Sequence, residues 1–205
     1  DALLTASTKR NAREASGDLV SMLIKKRFLS SPLAFARTLA NYANAAAVGR
    51  LADLDDEGSY LREVLGSGAS DEEEGRIEHP EFAALQASKA TDPLSAATAT
   101  ELAQLVQWGE SYEHRPDVRL RALLTFLDGV CRPDGRTWSN ERVVIFTEYA
   151  DTLEWVVNVL SAHGYADRVA TISGATDRDE RELIKAAFDA DPTKHPVRVL
   201  VATDA

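Results

Sequence analysis

With 205 residues, 44% of them hydrophobic and 27% charged, the chain is long enough to bury about 70% of its unfolded surface in a core of ordinary size. No apolar run approaches the ~20 residues that cross a bilayer, no basic-then-apolar leader opens the sequence, and the single cysteine, Cys131, cannot form an internal disulfide; a cytoplasmic protein with no membrane partner is expected. The formal charge of −10 argues against a chain-wide electrostatic grip on nucleic acid, but residues 1–50 carry 8 Lys+Arg against 3 Asp+Glu, whereas residues 51–100 carry 3 against 12.

The N-terminal 50 residues read as helices. In DLVSMLIKKRFL, Leu19, Met22 and Leu23 share a face, with Val20, Ile24 and Phe28 beside them. Ser31 then offers an N-cap and Pro32 suits a first helical turn, after which Phe35, Leu39, Tyr42 and Ala46 recur at helical spacing. Lys25, Lys26 and Arg27 form a basic run that could touch DNA phosphates; a solvated helix face explains it more simply. The stretch GSGASDEEEGRIEHPEF reads as an acidic, flexible insert near 66–79, flanked by weaker helical periodicity over 51–65 and 81–112. From Pro116 a further helix is expected, with Leu120, Leu123, Leu124 and Leu127 inward, ending at the turn signal RPDG.

The pattern then changes. RVVIF (142–146) is a continuous apolar run suited to a strand covered on both faces. Residues 150–162 follow a helical period through Leu153, Val156, Val157 and Leu160, and Gly164 sits where a C-terminal cap belongs. RVATI (168–172) is a second strand. Thr176 is placed as N-cap of a helix with acids in its first turn and Leu183, Ile184, Ala187 and Phe188 toward the sheet; VRVLVA is the third strand. The β-α-β-α-β order implies an α/β fold with a parallel sheet and right-handed crossovers. The expected division is a helical region over 1–137 and a sheet-bearing region over 138–205.

Ligands of open parallel sheets bind beyond the carboxyl ends of the strands. Three loops leave those ends: Thr147-Glu148, Ser173-Gly174-Ala175-Thr176 and Thr203-Asp204. Each begins with a hydroxyl residue, two lead into helix N-termini, and Gly174 permits close backbone approach, so the rim reads as a phosphate-handling surface. The plainer account makes Thr147 and Thr176 ordinary helix caps. DEEE (71–74) follows GSGAS rather than an apolar strand, so it is not a magnesium-holding acidic box, and GSGAS lacks the Gly-Lys-Ser/Thr of a phosphate loop. His79, His114, His163 and His195 lack metal-ligand spacing, Cys131 reads as structural, and DRDE (177–180) needs only the helix dipole to explain it. No catalytic or metal-ligating residue emerges.

In order and spacing, ERVVIFTEYADTLEWVVNVL, ISGATDRDERELIKAAF and VRVLVATDA resemble the start of the second RecA-like lobe of superfamily 2 helicases. Phe146-Thr147 resembles the end of motif IV; Ser173-Gly174 with Arg178 and Arg181 resembles the block in which a glycine precedes an arginine by several residues; Val201-Ala202-Thr203-Asp204 resembles the opening of motif V. KKRFLSSPLAFARTL and PDVRLRALLTFL are similar to helical segments between the motor lobes of bacterial Swi/Snf-type proteins, RapA-like or DISARM-type. The resemblance implies interlobe helices followed by an incomplete three-layer RecA-like lobe, part of an ATP-dependent motor on double-stranded DNA. It implies that Thr147, Ser173, Gly174, Thr203 and one of Arg178 and Arg181 hold a nucleic-acid strand by its phosphates, with Asp204 facing the nucleotide. ATP and magnesium would belong to the complete parent, whose other lobe would be a partner. Because the sequence carries neither a phosphate loop nor a DEAD-type box, this stretch alone is expected not to hydrolyse ATP, and its uncovered strands are expected to promote self-association. The alternative from another class is a self-contained doubly wound binding or signalling module with a helical partner-binding arm.

Overall fold

The computed structural model describes residues 24–47 and 95–203, and the chain divides into two compact units, Asp1–Glu110 and Ser111–Ala205. In the first unit residues 24–30 are helical, and a second helix, α1 (Pro32–Ala47), begins after Ser31. The corner has the chemistry read from the sequence: the Ser31 hydroxyl accepts the Ala34 N–H at 3.0 Å, and Pro32 occupies a first-turn position where no N–H is needed. Leu33, Phe35 and Leu39 are buried, and α1 packs against α2 (Ala96–Glu110), whose first turn is closed by Ser95 Oγ accepting the Thr98 N–H. Gly109 marks their closest approach. A Cβ there would lie 2.5 Å from the Pro32 carbonyl oxygen and 2.6 Å from Ala36 Cβ, so only hydrogen fits.

Phe28, Phe35 and Trp108 form an aromatic cluster, with Phe28 and Phe35 edge to face at 5.1 Å. Phe28 nevertheless remains 49% exposed, so the stripe expected through Ile24 and Phe28 is only partly inward. The basic run also divides: Lys25 and Lys26 are exposed, whereas Arg27 is buried and leaves the solvent face. The expectations for Leu19, Val20, Met22, Leu23, for residues 51–65, for the insert near 66–79 and for Asp204 lie outside the described residues.

The second unit opens with α3 (Val118–Cys131), capped by Asp117, whose carboxylate accepts the Leu120 N–H at 2.8 Å. Leu120, Leu124, Leu127 and Cys131 are buried and Leu123 is half-buried, close to the expected face. Then follow β1 (Val143–Thr147), α4 (Ala150–Leu160), a wide turn over Ser161–Tyr165, β2 (Val169–Ile172), α5 (Arg178–Asp189) and β3 (Val199–Thr203). Gly164 has φ 88°, the left-handed conformation that stops a helix and that glycine adopts without penalty. All strand pairs are parallel, in the order β1-β3-β2, so the α/β class holds and β3 is central. Val199 and Val201 are fully buried and Leu200 and Ala202 nearly so.

Right-handed crossovers from β1 to β2 and from β2 back to β3 run in opposite directions across the sheet, which places α4 and α5 on opposite faces. The two faces are unequally covered. Helix α4 packs on all three strands and buries Trp155, Val156, Val159 and Leu160, a stripe turned from the expected Leu153–Val156–Val157–Leu160 so that Trp155 can reach inward. The Trp155 indole N–H donates to the Tyr112 carbonyl at 2.8 Å, tying the lead-in of α3 to α4. Helix α5 packs chiefly on β2 and buries no residue. Two expectations are corrected in consequence. RVVIF is not covered on both faces, since edge strand β1 leaves Val144 and Phe146 41% and 73% exposed. Leu183 does not face the sheet but is 71% exposed, while Ile184, Ala187 and Phe188 are half-buried.

Beside α3, the Tyr165 hydroxyl donates to the Asp128 carboxylate at 2.8 Å, and the Arg132 guanidinium lies 5.0 and 4.7 Å from the rings of Trp138 and Tyr165. Arg132 also pairs with Asp128, whose carboxyl sits below the ordinary range because hydrogen bonds from Arg132 and Tyr165 outweigh the opposing effect of burial.

Candidate nucleic-acid interface

The register decides where the strand ends lie. Thr147 pairs with Thr203, and Ile172 pairs with Ala202, so the residue after β2, Ser173, comes level with Thr203. Thr147, Thr203 and Ser173 therefore form one row across the carboxyl edge of the sheet, with β3 in the middle. At a strand spacing of about 4.8 Å the row spans about 10 Å, enough to follow one or two phosphates of a nucleic-acid strand.

Thr147 and the Ser173 loop are each held locally. The Thr147 hydroxyl donates to the Tyr149 carbonyl at 3.2 Å. It does not cap α4, whose N-cap position is Tyr149 and carries no side-chain capping bond. After β2, the Ser173 N–H donates to Thr176 Oγ1 at 2.9 Å and the Thr176 N–H donates to the Ser173 carbonyl at 3.0 Å. This reciprocal pair closes a tight loop with Gly174 and Ala175 exposed at its tip. Thr176 is thus not the N-cap of α5. Its hydroxyl is spent on the loop, and Asp177 takes the cap by accepting the Glu180 N–H at 2.9 Å.

The two arginines that the sequence could not separate have different surroundings. Arg181 is half-buried and its Nη2 donates to the Ser173 carbonyl at 3.1 Å, bracing the loop from the second turn of α5. Arg178 is exposed at the first position of α5. Asp179 and Glu180 share that first turn, where the helix dipole favours them. Glu182, further along, is held below the ordinary carboxylate range by its hydrogen bond from Lys185, with Arg178 and Arg181 adding smaller effects. The rim therefore offers hydroxyls, an exposed glycine backbone and one exposed arginine, groups that hold a phosphodiester oxygen without reading a base.

No protein-family model, no curated protein and no solved structure matches the chain. Among the described residues no group of three His, Cys, Asp or Glu side chains is placed to hold a metal ion, and no helix is long and apolar enough to cross a membrane. The sequence reading missed Asp177 as the cap and the bracing role of Arg181. The first was legible, because Asp177 precedes Glu180 at capping-box spacing. The second depends on the loop folding back against α5, which spacing alone does not reveal.

Proposed function

We propose that this chain contributes part of the nucleic-acid-gripping lobe of an ATP-dependent DNA helicase or translocase, with the carboxyl edge of its sheet seated on backbone phosphates. The observation that carries the reading is the single row formed by Thr147, Thr203 and Ser173, beside a braced Gly174 loop and the exposed Arg178. In this reading Arg178 touches the strand, and Arg181 acts as a positioning residue through Ser173. The contacts hold the backbone of a duplex irrespective of its sequence. The row offers hydroxyls and a guanidinium, and the sequence has no Gly-Lys-Ser/Thr loop, so these residues do not fit a nucleotide triphosphate by themselves. ATP and magnesium are assigned to the remainder of a complete motor.

The test is fluorescence anisotropy of a labelled DNA duplex titrated with the 205-residue chain at several salt concentrations. The expected result is weak, salt-sensitive binding, in the range of about 10⁻⁴–10⁻⁶ M typical of sequence-independent contacts. Arg178→Gln should lower the dependence of log affinity on log salt by about one. Lack of binding at low salt, or an Arg178→Gln variant identical to the parent chain, would refute the proposal.

A further inference from the structure

Strand β1 lies at an edge: among the described residues the sheet runs β1-β3-β2, and β1 pairs with β3 alone. Native sheets guard such an edge with charge, proline, a bulge or a cover. The five residues of β1, VVIFT, are uncharged, contain no proline and match β3 one to one without a bulge. Its uncovered face is apolar as well. Val144 and Phe146 stand on the same side, 41% and 73% exposed, although their register partners Leu200 and Ala202 are nearly buried.

The direction of the peptide groups decides how this edge can be used. The Val143 N–H donates toward β3, to the Arg198 carbonyl at 2.9 Å. Residues alternate sides along a strand, so Val143, Ile145 and Thr147 serve β3, while Val144 and Phe146 turn both N–H and C=O outward. An identical strand running antiparallel, on a two-fold axis through Ile145, sets Val144 of each copy against Phe146 of the other. The outward groups then form hydrogen-bonded pairs, and the exposed apolar side chains become cross-strand neighbours on one face. Every residue of β1 is matched in this register. A slide of two residues, the smallest that keeps outward groups opposed, leaves part of each strand unpaired. One position beyond the strand, half-buried Arg142 comes level with exposed Glu148 of the other copy, so unlike charges flank the pairing at both ends.

We infer that β1 is the interface of a homodimer, in which two copies join edge to edge as antiparallel strands about a two-fold axis at Ile145. The strand complements itself in peptide direction, apolar pairing and end charge, which selects a second copy of this chain as the occupant. The symmetric pairing uses the edge of both copies and therefore closes at two. It does not rest on the nucleic-acid reading.

Sedimentation velocity of the intact chain over a concentration series reads the mass, and oxidative cross-linking reads the register. The mass should rise from one chain to two and no further. Val144→Pro removes an outward N–H and leaves the bonds to β3 in place, and Phe146→Lys puts a charge on the shared face; each should hold the chain as a monomer, with circular dichroism checking the fold. The register sets the two Ile145 Cα atoms about 4.5 Å apart, within disulfide reach, so Ile145→Cys should give a covalent dimer on oxidation. Val143→Cys, opposite Thr147, should not, and the parent chain gives the background from buried Cys131. Should either edge variant unfold, the parent mass and the cross-linking pattern still decide. A parent chain that stays monomeric throughout, association unchanged in both edge variants, growth beyond two chains, or cross-linking no stronger at 145 than at 143 would each overturn the inference.

Discussion

Replacing Gly109 and Gly129 by alanine, one at a time, should move stability in opposite directions. Both glycines lie in the last turns of helices, where alanine is intrinsically favoured by up to about 1 kcal/mol and by less near a helix end. At Gly129 nothing lies within 4 Å of the added Cβ, so that preference should appear undiminished by any clash, as a gain of a few tenths to about 1 kcal/mol. At Gly109 the Cβ would sit 2.5 Å from a backbone oxygen of α1 and 2.6 Å from Ala36 Cβ. Neither obstacle is the movable tip of a long side chain, so α1 and α2 must separate. Overpacking of that kind costs about 1–3 kcal/mol, which outweighs the propensity gain and leaves a net loss of about 1–2 kcal/mol. Urea unfolding followed by circular dichroism reads both signs, and hydrogen exchange over 96–110 localises the first to α2. A Gly109→Ala variant as stable as the parent chain, with unchanged α2 exchange, would refute the close approach of the two helices.

Tyr165→Phe should change the alkaline limb of stability. Burial first, and then its bond to Asp128, raise the Tyr165 hydroxyl above its ordinary value, so above about pH 10 the unfolded chain releases a proton that the folded chain keeps. That proton retention makes stability fall with rising pH, by up to about 1.4 kcal/mol per pH unit for this one group. The phenylalanine variant should be less stable near neutrality by about 1–2 kcal/mol and should decline less steeply between about pH 10 and 11; parallel declines in urea midpoint would contradict the assignment. Asp177→Ala should destabilise α5 by about 1 kcal/mol through loss of its cap, whereas Thr176→Ala should chiefly loosen the loop at Ser173. Amide exchange at Glu180 and at Ser173 separates the two effects, and a larger change at Glu180 in the Thr176 variant would reverse the cap assignment.

The fold was legible where local chemistry and tertiary packing agree. Ser31-Pro32 opened a helix because the cap and the missing N–H both favour it there, and Gly164 stopped a helix because it alone accepts φ 88° cheaply. The parallel sheet followed from helices separating three apolar runs, which no hairpin could join. Burial of individual strands was not legible. RVVIF has the composition of a doubly covered strand, but it lies at an edge and α5 packs chiefly on β2, so Phe146 is left in solvent. Composition reports what a strand tolerates, whereas its place in the sheet decides what it receives. The rim row was legible because side chains at strand ends must align once the strands are parallel and in register. The arginines that precede the three strands, Arg142, Arg168 and Arg198, share an equally plain Arg-Val signal, but only the register makes these separate positions neighbours at the amino edge.

The most direct test of the nucleic-acid reading is chemical-shift mapping of a short DNA duplex on the isotope-labelled chain at low salt. The account predicts perturbations concentrated at Thr147, Ser173, Gly174, Arg178 and Thr203, all diminished together by Arg178→Gln. Perturbations confined to the exposed lysines at 25 and 26, or to the amino edge at Arg142 and Arg168, with the rim unmoved, would contradict it.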